Sequence, residues 1–517
     1  MGDPCYFSGV FYREKKNASG SVSVQVLAKR NGTNVLIKTI GSSTEPVVIG
    51  QLKQLAQQYI DGQMGREGLG LFVVQPDDRF KTIFEKINDI RLLGPELILG
   101  KIFDEIGFHA VTDELFRHLV LSRIISPSSK LKTVRYMQEY VHEDRHVQRI
   151  YRYMDKLHSK QKQLVETISF EHTKKILGGV LSVVFYDVTT IYFEAEQEDE
   201  LRATGYSKDG KNNDPQILLG LLVSTGGYPL DYEIFNGKSY EGHTMMQVIN
   251  GSKARFDLPQ LVVVADAGSL NKDNIDELTK TECKYILGAR IKAEKDTIKA
   301  AILKLSLTNG QSATITKTDG SRLVVSYSEA RAKKDLRNRQ RGLAKLERSL
   351  AKGKLTKASI NNRGYNKYLI MEGQIDIRID HTKFDADACW DGLKGYMTNT
   401  DLSPEVLIGQ YRELWKIKKA FRISKTDLKV RPVFHRLQRR IQAHICIWFV
   451  AYKVYKEFER QLSQRRSHIT IERAIECLKT IFGVTILHPP SGLKKRMIHT
   501  NNEDQILLLK YYEVDLG

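Results

Sequence analysis

Five short apolar stretches between residues 181 and 289 constrain the fold more than any other feature of this sequence. The stretches are residues 181–186, 217–223, 228–235, 261–265 and 283–289. Each has the length of a strand, and Gly226-Gly227 supplies a tight turn between the second and the third. Helical spacing follows around Met245 and Ile249 and again between Ile275 and Leu278. The order β-β-β-α-β-α-β predicts an α/β domain built on a mixed five-stranded sheet.

Two aspartates follow predicted strands of this sheet. Asp187 comes directly after the first stretch and Asp266 directly after the fourth. The order of elements, with these two acids, resembles that of the RNase H-like nucleotidyltransferases, and the resemblance implies that neighbouring strands bring the two carboxylates together. A single aspartate at a strand end often only caps a turn. Paired carboxylates can hold two divalent cations about 4 Å apart, which clamp the attacking and leaving oxygens at phosphorus.

The charge of the chain favours a polyanionic partner. The 517 residues contain 80 Lys and Arg against 61 Asp and Glu, a formal net charge of +19. Such a surplus promotes nucleic-acid binding through phosphate neutralisation, although a basic surface can also be inert. No apolar run reaches the roughly 20 residues that span a bilayer, and no leader-like segment opens the chain. The sequence therefore predicts a DNA-binding protein of the cytoplasm, with no membrane association.

Pattern changes along the chain divide it into six predicted regions. These are an α+β module (1–95), a helical DNA-binding or dimerisation region (96–178), the first part of the sheet domain (179–290), a mostly β insertion with a basic segment (291–400), a last catalytic helix (401–455) and a C-terminal helical region (456–517). Within the second region, Ser126-Pro127 is expected to end one helix, and the serines that follow can cap the next.

Local motifs narrow the resemblance to one family. The segments Gly205-Tyr206-Ser207-Lys208-Asp209-Gly210, Asp214-Pro215-Gln216-Ile217, Ala265-Asp266-Ala267-Gly268, Asp391-Gly392, Thr398-Asn399-Thr400 and Tyr411-Arg412-Glu413 resemble the insertion-sequence DDE transposases of bacteria that carry a Tyr-Arg-Glu-Lys signature. The motifs cover roughly residues 120 to 450. The resemblance implies an RNase H-like core using Mg²⁺ or Mn²⁺, two ions per active site. It also implies a homodimer on DNA, binding terminal inverted repeats and target DNA in the bacterial cytoplasm and nucleoid.

The last helix departs from the family pattern at its third acid. Lys418 occupies the position of the catalytic Glu, and Leu414 replaces the signature Arg, whereas Tyr411 and Lys425 match. If residues 411–425 form one helix, these four positions share a face and Lys418 points at the two aspartates. Glu413 would lie roughly 140° around that helix from position 418, too far to replace the missing acid.

Two cationic segments are candidates for DNA contact. Residues 331–367 hold a dense basic block, and residues 425–440 hold a second. The expected DNA-binding residues are Tyr411, Lys425, Arg422, Arg431, Arg337, Arg341, Lys345 and Lys130. A solvated helix face would produce the same composition in the first segment.

Three functions are compatible with these patterns. The first is a transposase that cuts and joins DNA at the ends of its mobile element. The second is a catalytically impaired relative that occupies the same ends as a repressor or scaffold, which Lys418 favours. The third is a host nuclease of the same superfold, which would not prefer one repeat sequence over random DNA.

Overall fold

The computed structural model describes residues 7–30, 32–67, 87–194, 197–207, 210, 213–256, 258, 261–356, 359–361, 364–372, 376–488 and 493–515. The chain divides into two compact units. The first comprises Met1–Asp89 with Thr485–Arg496, and the second comprises Ile90–Val484 with Met497–Gly517. No helix in these described ranges combines the length and the apolar character that a membrane crossing needs.

The first unit is built on a three-stranded antiparallel sheet. Its elements are β1 (Phe7–Lys16), β2 (Val22–Arg30), β3 (Thr33–Ser43) and helix α1 (Pro46–Glu67), and the strand order is β1-β2-β3. Strand β4 (Ile87–Leu92) follows. Buried Val24 and Val26 of β2 pack against Ala56 and Ile60 of α1. This unit therefore contains both strands and a helix.

Five helices follow. They are α2 (Lys101–Ile106), α3 (Glu114–Ile125), α4 (Lys130–Tyr136), α5 (Val147–Lys156) and α6 (Lys162–Ile176). Helix α3 ends at Ile125, just before Ser126-Pro127, as the sequence predicts. The Ser129 hydroxyl accepts a hydrogen bond from the Lys132 backbone N–H at 3.4 Å and caps α4.

The predicted order of strands and helices is confirmed in the central sheet. Its elements are β5 (Val183–Tyr192), β6 (Gln216–Ser224), β7 (Pro229–Asn236), α7 (Thr244–Phe256), β8 (Val262–Ala265), α8 (Lys272–Lys280) and β9 (Lys284–Ala289). These strands lie in the order β7-β6-β5-β8-β9, with β5, β8 and β9 parallel and β6 antiparallel to its neighbours.

The insertion extends this sheet to eight strands, where the sequence predicted five. Its elements are α9 (Asp296–Leu303), β10 (Ser312–Thr316), β11 (Arg322–Tyr327), α10 (Glu329–Ala351), β12 (Leu369–Glu372), β13 (Asp376–Ile379), α11 (His381–Ala386) and β14 (Leu393–Thr398). Strand β14 pairs with β9, and β11 and β10 follow outward. The expectation of a mostly β insertion was wrong, because the basic block forms the 23-residue helix α10. Its Lys, Arg, Glu and Leu residues are good helix formers, and Leu346 packs on Phe384 and Tyr368.

The remaining elements are α12 (Pro404–Arg412), α13 (Trp415–Thr426), α14 (Gln438–Gln464), α15 (Ile471–Leu478), β15 (Phe482–His488), β16 (Leu493–His499) and α16 (Glu503–Tyr511). The C-terminal region was predicted to be helical, but it also contains the two strands β15 and β16. Helix α14 is buried along most of its length and forms the centre of the largest apolar core.

The single helix predicted for residues 411–425 was also wrong. Helix α12 ends at Arg412 and α13 begins at Trp415. At the junction the backbone N–H groups of Glu413 and Leu414 bond to carbonyls three residues back, at 3.1 Å each. This tighter turn interrupts the helical path while both Tyr411 and Leu414 remain buried.

Candidate active site

Asp187 and Asp266 occupy neighbouring positions on two parallel strands. The register of β5 against β8 pairs Tyr186 with Ala265, so that the next residue on each strand is one of the two aspartates. Strand β8 ends there, and the Gly268 backbone N–H donates to Asp266 Oδ1 at 2.8 Å, which forms a tight turn. Asp187, in contrast, lies inside β5, which continues to Tyr192 in its pairing with β6. The expectation that Asp187 ends its strand was therefore wrong.

The alternation of side chains in β5 decides which face the acid occupies. Tyr186 lies on the face covered by α7, where its hydroxyl donates to Thr244 Oγ1 at 2.7 Å. Asp187 is the next residue, so its carboxylate projects from the opposite face, the side on which α13 packs against β5. The acid is partly exposed, whereas its strand neighbours Tyr186 and Val188 are buried.

Helix α13 places Lys418 beside this pair. The Lys418 ammonium lies 3.8 Å from Asp266 Oδ2, and the two side chains are 57% and 35% exposed. An ion pair this open to water contributes little to stability. Its importance is chemical, because a positive charge occupies the position at which the resemblance places a third carboxylate.

Tyr411 is buried against the same corner of the sheet. A Cβ at Gly288 of β9 would lie 2.5 Å from the Tyr411 hydroxyl and 2.9 Å from the Ala267 nitrogen, so only glycine leaves room for this close packing. Burial raises the pKa of Tyr411, and the charges of Asp266 and Asp187 raise it further. The tyrosine is 8% exposed, so the structure places its hydroxyl beside the aspartates instead of on an open surface.

Lys394 is a site residue that sequence reasoning missed. Its ammonium lies 4.2 Å from the centre of the Tyr411 ring and 5.1 Å from that of Tyr396. Burial lowers the pKa of Lys394 to about 8, helped by the charges of Arg331, Lys418 and Arg412. The only signal was its place two residues after Asp391-Gly392, and this signal did not distinguish it from other lysines.

The residues around the aspartates fit a divalent cation only in part. Two adjacent carboxylates suit Mg²⁺, which proteins often bind through one or two carboxylates with water completing the shell. Among the residues that the structure describes, no cluster of three or more His, Cys, Asp or Glu could hold a metal. Glu413 forms an ion pair with Lys416 in the turn between α12 and α13. Lys418 lies beside Asp266, where the resemblance places a third acid.

The expected DNA-binding residues fall into three structural classes. Arg422, Arg337, Arg341 and Lys345 are exposed, and Lys425 and Arg431 are partly exposed. The Arg431 guanidinium lies over the Tyr192 ring at 5.4 Å. Lys130 is only 4% exposed, at the start of α4. Lys357 and Arg363, which belong to the basic block, lie outside the described residues.

Several cations of the two basic segments pair with carboxylates of the protein. Arg339 is buried, and it donates to Asp391 Oδ2 at 2.7 Å and to the Phe384 carbonyl at 3.1 Å. Arg439 and Arg440 both pair with Asp155 at 2.9 Å. These three arginines therefore have carboxylate partners within the protein, although Arg439 is exposed, and the composition of the segments did not reveal this pairing.

A cavity of about 750 Å³ lies within the insertion, beside the end of β9 and the start of β14. Its lining includes Arg290, Lys292, Arg331, Lys394 and Trp390. The tryptophan ring also faces Lys292, whose ammonium is 6.0 Å from the ring centre. Trp415 is 54% exposed and precedes Lys418 on α13 by three residues. Both aromatic side chains are thus accessible near the cationic surface.

Comparison with known proteins identifies one family model, described as a transposase DDE domain, which matches residues 178–454. The solved structures that resemble the chain include a piggyBac transposase synaptic complex with hairpin DNA, at 10% identity and a TM-score of 0.37, covering 75% of this chain and 79% of that one. They also include a Mos1 transposase paired-end complex with the left transposon end, at 10% identity and a TM-score of 0.16, covering 33% and 56%. No curated protein matches the chain.

Proposed function

Because the chain belongs to the family of transposases with a DDE domain, whose model matches more than half of it, we propose that it acts at the ends of a mobile element. It binds the terminal inverted repeats as a homodimer, cleaves the DNA strands and joins the 3′ ends to target DNA. The observation that carries this proposal is the placement of Asp187 and Asp266 side by side on β5 and β8. The strand order β7-β6-β5-β8-β9 supports an RNase H-like core, as the resemblance implies.

The two aspartates are the proposed ligands of Mg²⁺ or Mn²⁺, which, when bound, activates the attacking oxygen and offsets the charge that develops at phosphorus. The chain itself orients the carboxylates. The Asp266 side chain is fixed by the Gly268 N–H, and the backbone of Asp187 is held by its pairing with Leu221 of β6. Tyr411 packs against the turn after β8 and helps to define its position.

Helix α10 is the proposed surface for the DNA backbone. Arg337, Arg341, Lys345 and Arg348 follow one another at intervals of four, four and three residues, so they form one exposed stripe about 16 Å long. The opposite side of the helix carries the buried residues Arg339, Gly342 and Leu346. A rigid row of cations of this length can contact several phosphates of one strand.

A second candidate function is favoured by the contact between Lys418 and Asp266. At 3.8 Å the ammonium partly neutralises the acid and opposes the binding of a cation. A protein with this site binds transposon ends but cleaves them poorly, and it serves as a repressor or as a scaffold for the synaptic complex. The two candidates share the DNA-binding surface and differ only in cleavage.

The test uses labelled duplexes that carry the element's own ends, with random duplexes of equal length as controls. Preferential binding to the ends, followed by cleavage that needs Mg²⁺ or Mn²⁺, supports the transposase. Asp187→Ala and Asp266→Ala should each abolish cleavage while DNA binding persists, because the acids hold metal and not DNA. Equal binding to both duplexes would argue for a nuclease without end specificity, and normal cleavage by either Ala variant would refute the site.

A further inference from the structure

A second cationic site lies away from the aspartates, where α3, α4, α14 and the segment before α14 meet. It is a small cavity of about 180 Å³, lined by Arg123, Lys130, Ser128, Ser129, His435 and His444. Arg123 and Lys130 are each 4% exposed, and His435 and His444 are 8% and 6% exposed. Four buried basic side chains from four segments of the chain therefore converge on one enclosed space.

The two strong cations have no carboxylate partner in the part of the chain that the structure describes. Arg123 donates one long hydrogen bond of 3.4 Å to the Lys429 carbonyl, and no ion pair of Lys130 is found among the described residues. Burying a charge without an opposite charge is costly, and buried cations in proteins are normally paired. Burial lowers the pKa of Arg123 to about 10, and burial together with the Arg123 charge holds the pKa of Lys130 well below its usual value.

The histidines add further unsatisfied hydrogen-bonding capacity. His444 Nε2 lies 3.0 Å from the Val430 carbonyl, so this nitrogen carries the proton and donates. His444 Nδ1 is then buried without any partner among the described residues. Burial and the neighbouring charges of Lys130 and Arg123 lower the pKa of His435 to about 3. Both rings are neutral while the cavity holds no negative charge, and an anion would favour their protonation.

We propose that this cavity binds one phosphate group. The space is too small for a large organic ligand but exceeds what a few water molecules need, since each takes about 30 Å³ in the liquid. A phosphate group offers several oxygens that accept charge-assisted hydrogen bonds from a guanidinium and an ammonium. The Ser129 hydroxyl already accepts from the Lys132 N–H, so its own proton is available to donate.

The phosphate can belong to a DNA strand or to a free phosphate compound. Exposed Lys429 and partly exposed Arg431 also line the cavity, as does Phe434, which is 62% exposed. These three side chains are cationic or aromatic, and both kinds of group favour the binding of a nucleic-acid strand. The proposal does not depend on the proposed cleavage chemistry, because it rests on Arg123, Lys130, His435 and His444 and not on the two aspartates.

The first experiment titrates inorganic phosphate into the full-length protein at constant ionic strength and follows binding by calorimetry. We expect saturable binding of one phosphate per chain and a rise in the melting temperature, since the ligand stabilises only the folded state. Lys130→Met should weaken phosphate binding by roughly tenfold or more, the loss expected for one hydrogen bond between charged groups. The control is Lys132→Met, which removes an exposed lysine from the same helix and should bind phosphate like the unmodified protein.

Stability without phosphate separates a binding role from a structural one. Lys130→Met should melt at the same temperature as the unmodified protein or higher, because an apolar side chain replaces an unpaired buried cation. A lower melting temperature for Lys130→Met would indicate a structural lysine. The proposal is refuted if the unmodified protein shows no saturable phosphate binding, or if both Met variants bind phosphate equally. The calorimetry of the unmodified protein alone decides the matter if Lys130→Met does not fold.

The source of the phosphate is decided by DNA binding measured against salt concentration. If a DNA phosphate occupies the cavity, Lys130→Met should reduce the slope of log affinity against log salt by about 0.9, and Lys132→Met should not change it. An unchanged slope, with inorganic phosphate binding lost, assigns the cavity to a free phosphate compound. Both outcomes support the phosphate site, and neither depends on whether the protein cleaves DNA.

Discussion

Replacing Lys418 with glutamate tests the active site most directly. The ammonium lies 3.8 Å from Asp266 Oδ2, and Lys418→Glu changes the local charge by two units. Two unit charges at this distance interact by about 1 kcal/mol in water and by about 4 kcal/mol at an effective permittivity of 20. Because the side chain of Lys418 is 57% exposed, the lower value is the appropriate one.

The side chain changes by two charge units and the metal ion carries two charges, so the interaction energy changes by four times the value for two unit charges. At a separation of this size in water, the change is about 4 kcal/mol. Salt screening and the ordering of the new side chain reduce it to about 3 kcal/mol, or roughly 100-fold in the dissociation constant for Mg²⁺. Lys418→Gln removes the ammonium without adding a ligand, so it should yield about half of this free energy, roughly tenfold.

The assay measures Mn²⁺ and Mg²⁺ binding by calorimetry and cleavage of labelled transposon ends at equal metal concentration. Lys304→Glu is the matched control, since it makes the same change in net charge at an exposed position of the insertion. We expect Lys418→Glu to bind metal more tightly and to cleave faster than the unmodified protein, Lys418→Gln and Lys304→Glu. If the unmodified protein binds metal and cuts as well as Lys418→Glu, position 418 has no part in the metal site, and another acid must complete it.

Three further predictions concern other parts of the molecule. Replacing Arg337, Arg341 and Lys345 together with glutamine should reduce the salt slope of DNA binding by about 2.7, and an unchanged slope would exclude α10 as a DNA surface. Gly288→Ala should lower the free energy of unfolding by about 1–3 kcal/mol, because the new methyl group would lie 2.5 Å from the Tyr411 hydroxyl. Denaturant titration measures this free energy, and an unchanged value would contradict the close packing. Burial lowers the pKa of His172 to about 4, helped by the charge of Lys453, so the unfolded chain binds the extra proton. Its contribution to stability is present above pH 6.5 and is lost as the pH falls towards 4, and melting curves of His172→Asn should show a weaker decline over this window than those of the unmodified protein.

Much of the central sheet could be predicted from the sequence because the signals are local. Apolar runs of strand length, a Gly-Gly turn and helical spacing each arise within a few residues, and they fixed the order of β5 to β9. The same patterns identified Asp187 and Asp266, since an acid beside a buried strand is visible in the sequence. That Asp187 lies inside β5 was not visible, because the strand continues through polar Thr189 and Thr190, which the fold buries.

Strand pairing between distant segments and the burial of individual cations were decided by the tertiary structure. Strand β14 joins β9 across more than 100 residues of chain, and this pairing turned an expected five-stranded sheet into one of eight strands. Burial likewise separated the cations of each basic segment. Arg339 pairs with Asp391 inside the insertion, whereas Arg337, two residues earlier, faces solvent. The composition gives the number of charged residues, but only the packing determines whether a given side chain faces water, a carboxylate or a cavity.

The contact between Lys418 and Asp266 depends on both the local sequence and the tertiary structure. The resemblance read from the sequence places Lys418 where the family has a catalytic acid. Its 3.8 Å separation from Asp266 depends on the break between α12 and α13 and on the packing of α13 against β5. The helical path is interrupted at residues 413–414, between the buried Tyr411 and Leu414, and the local sequence pattern did not predict this interruption. The sequence therefore determines that position 418 carries a positive charge, and the fold determines where that charge lies.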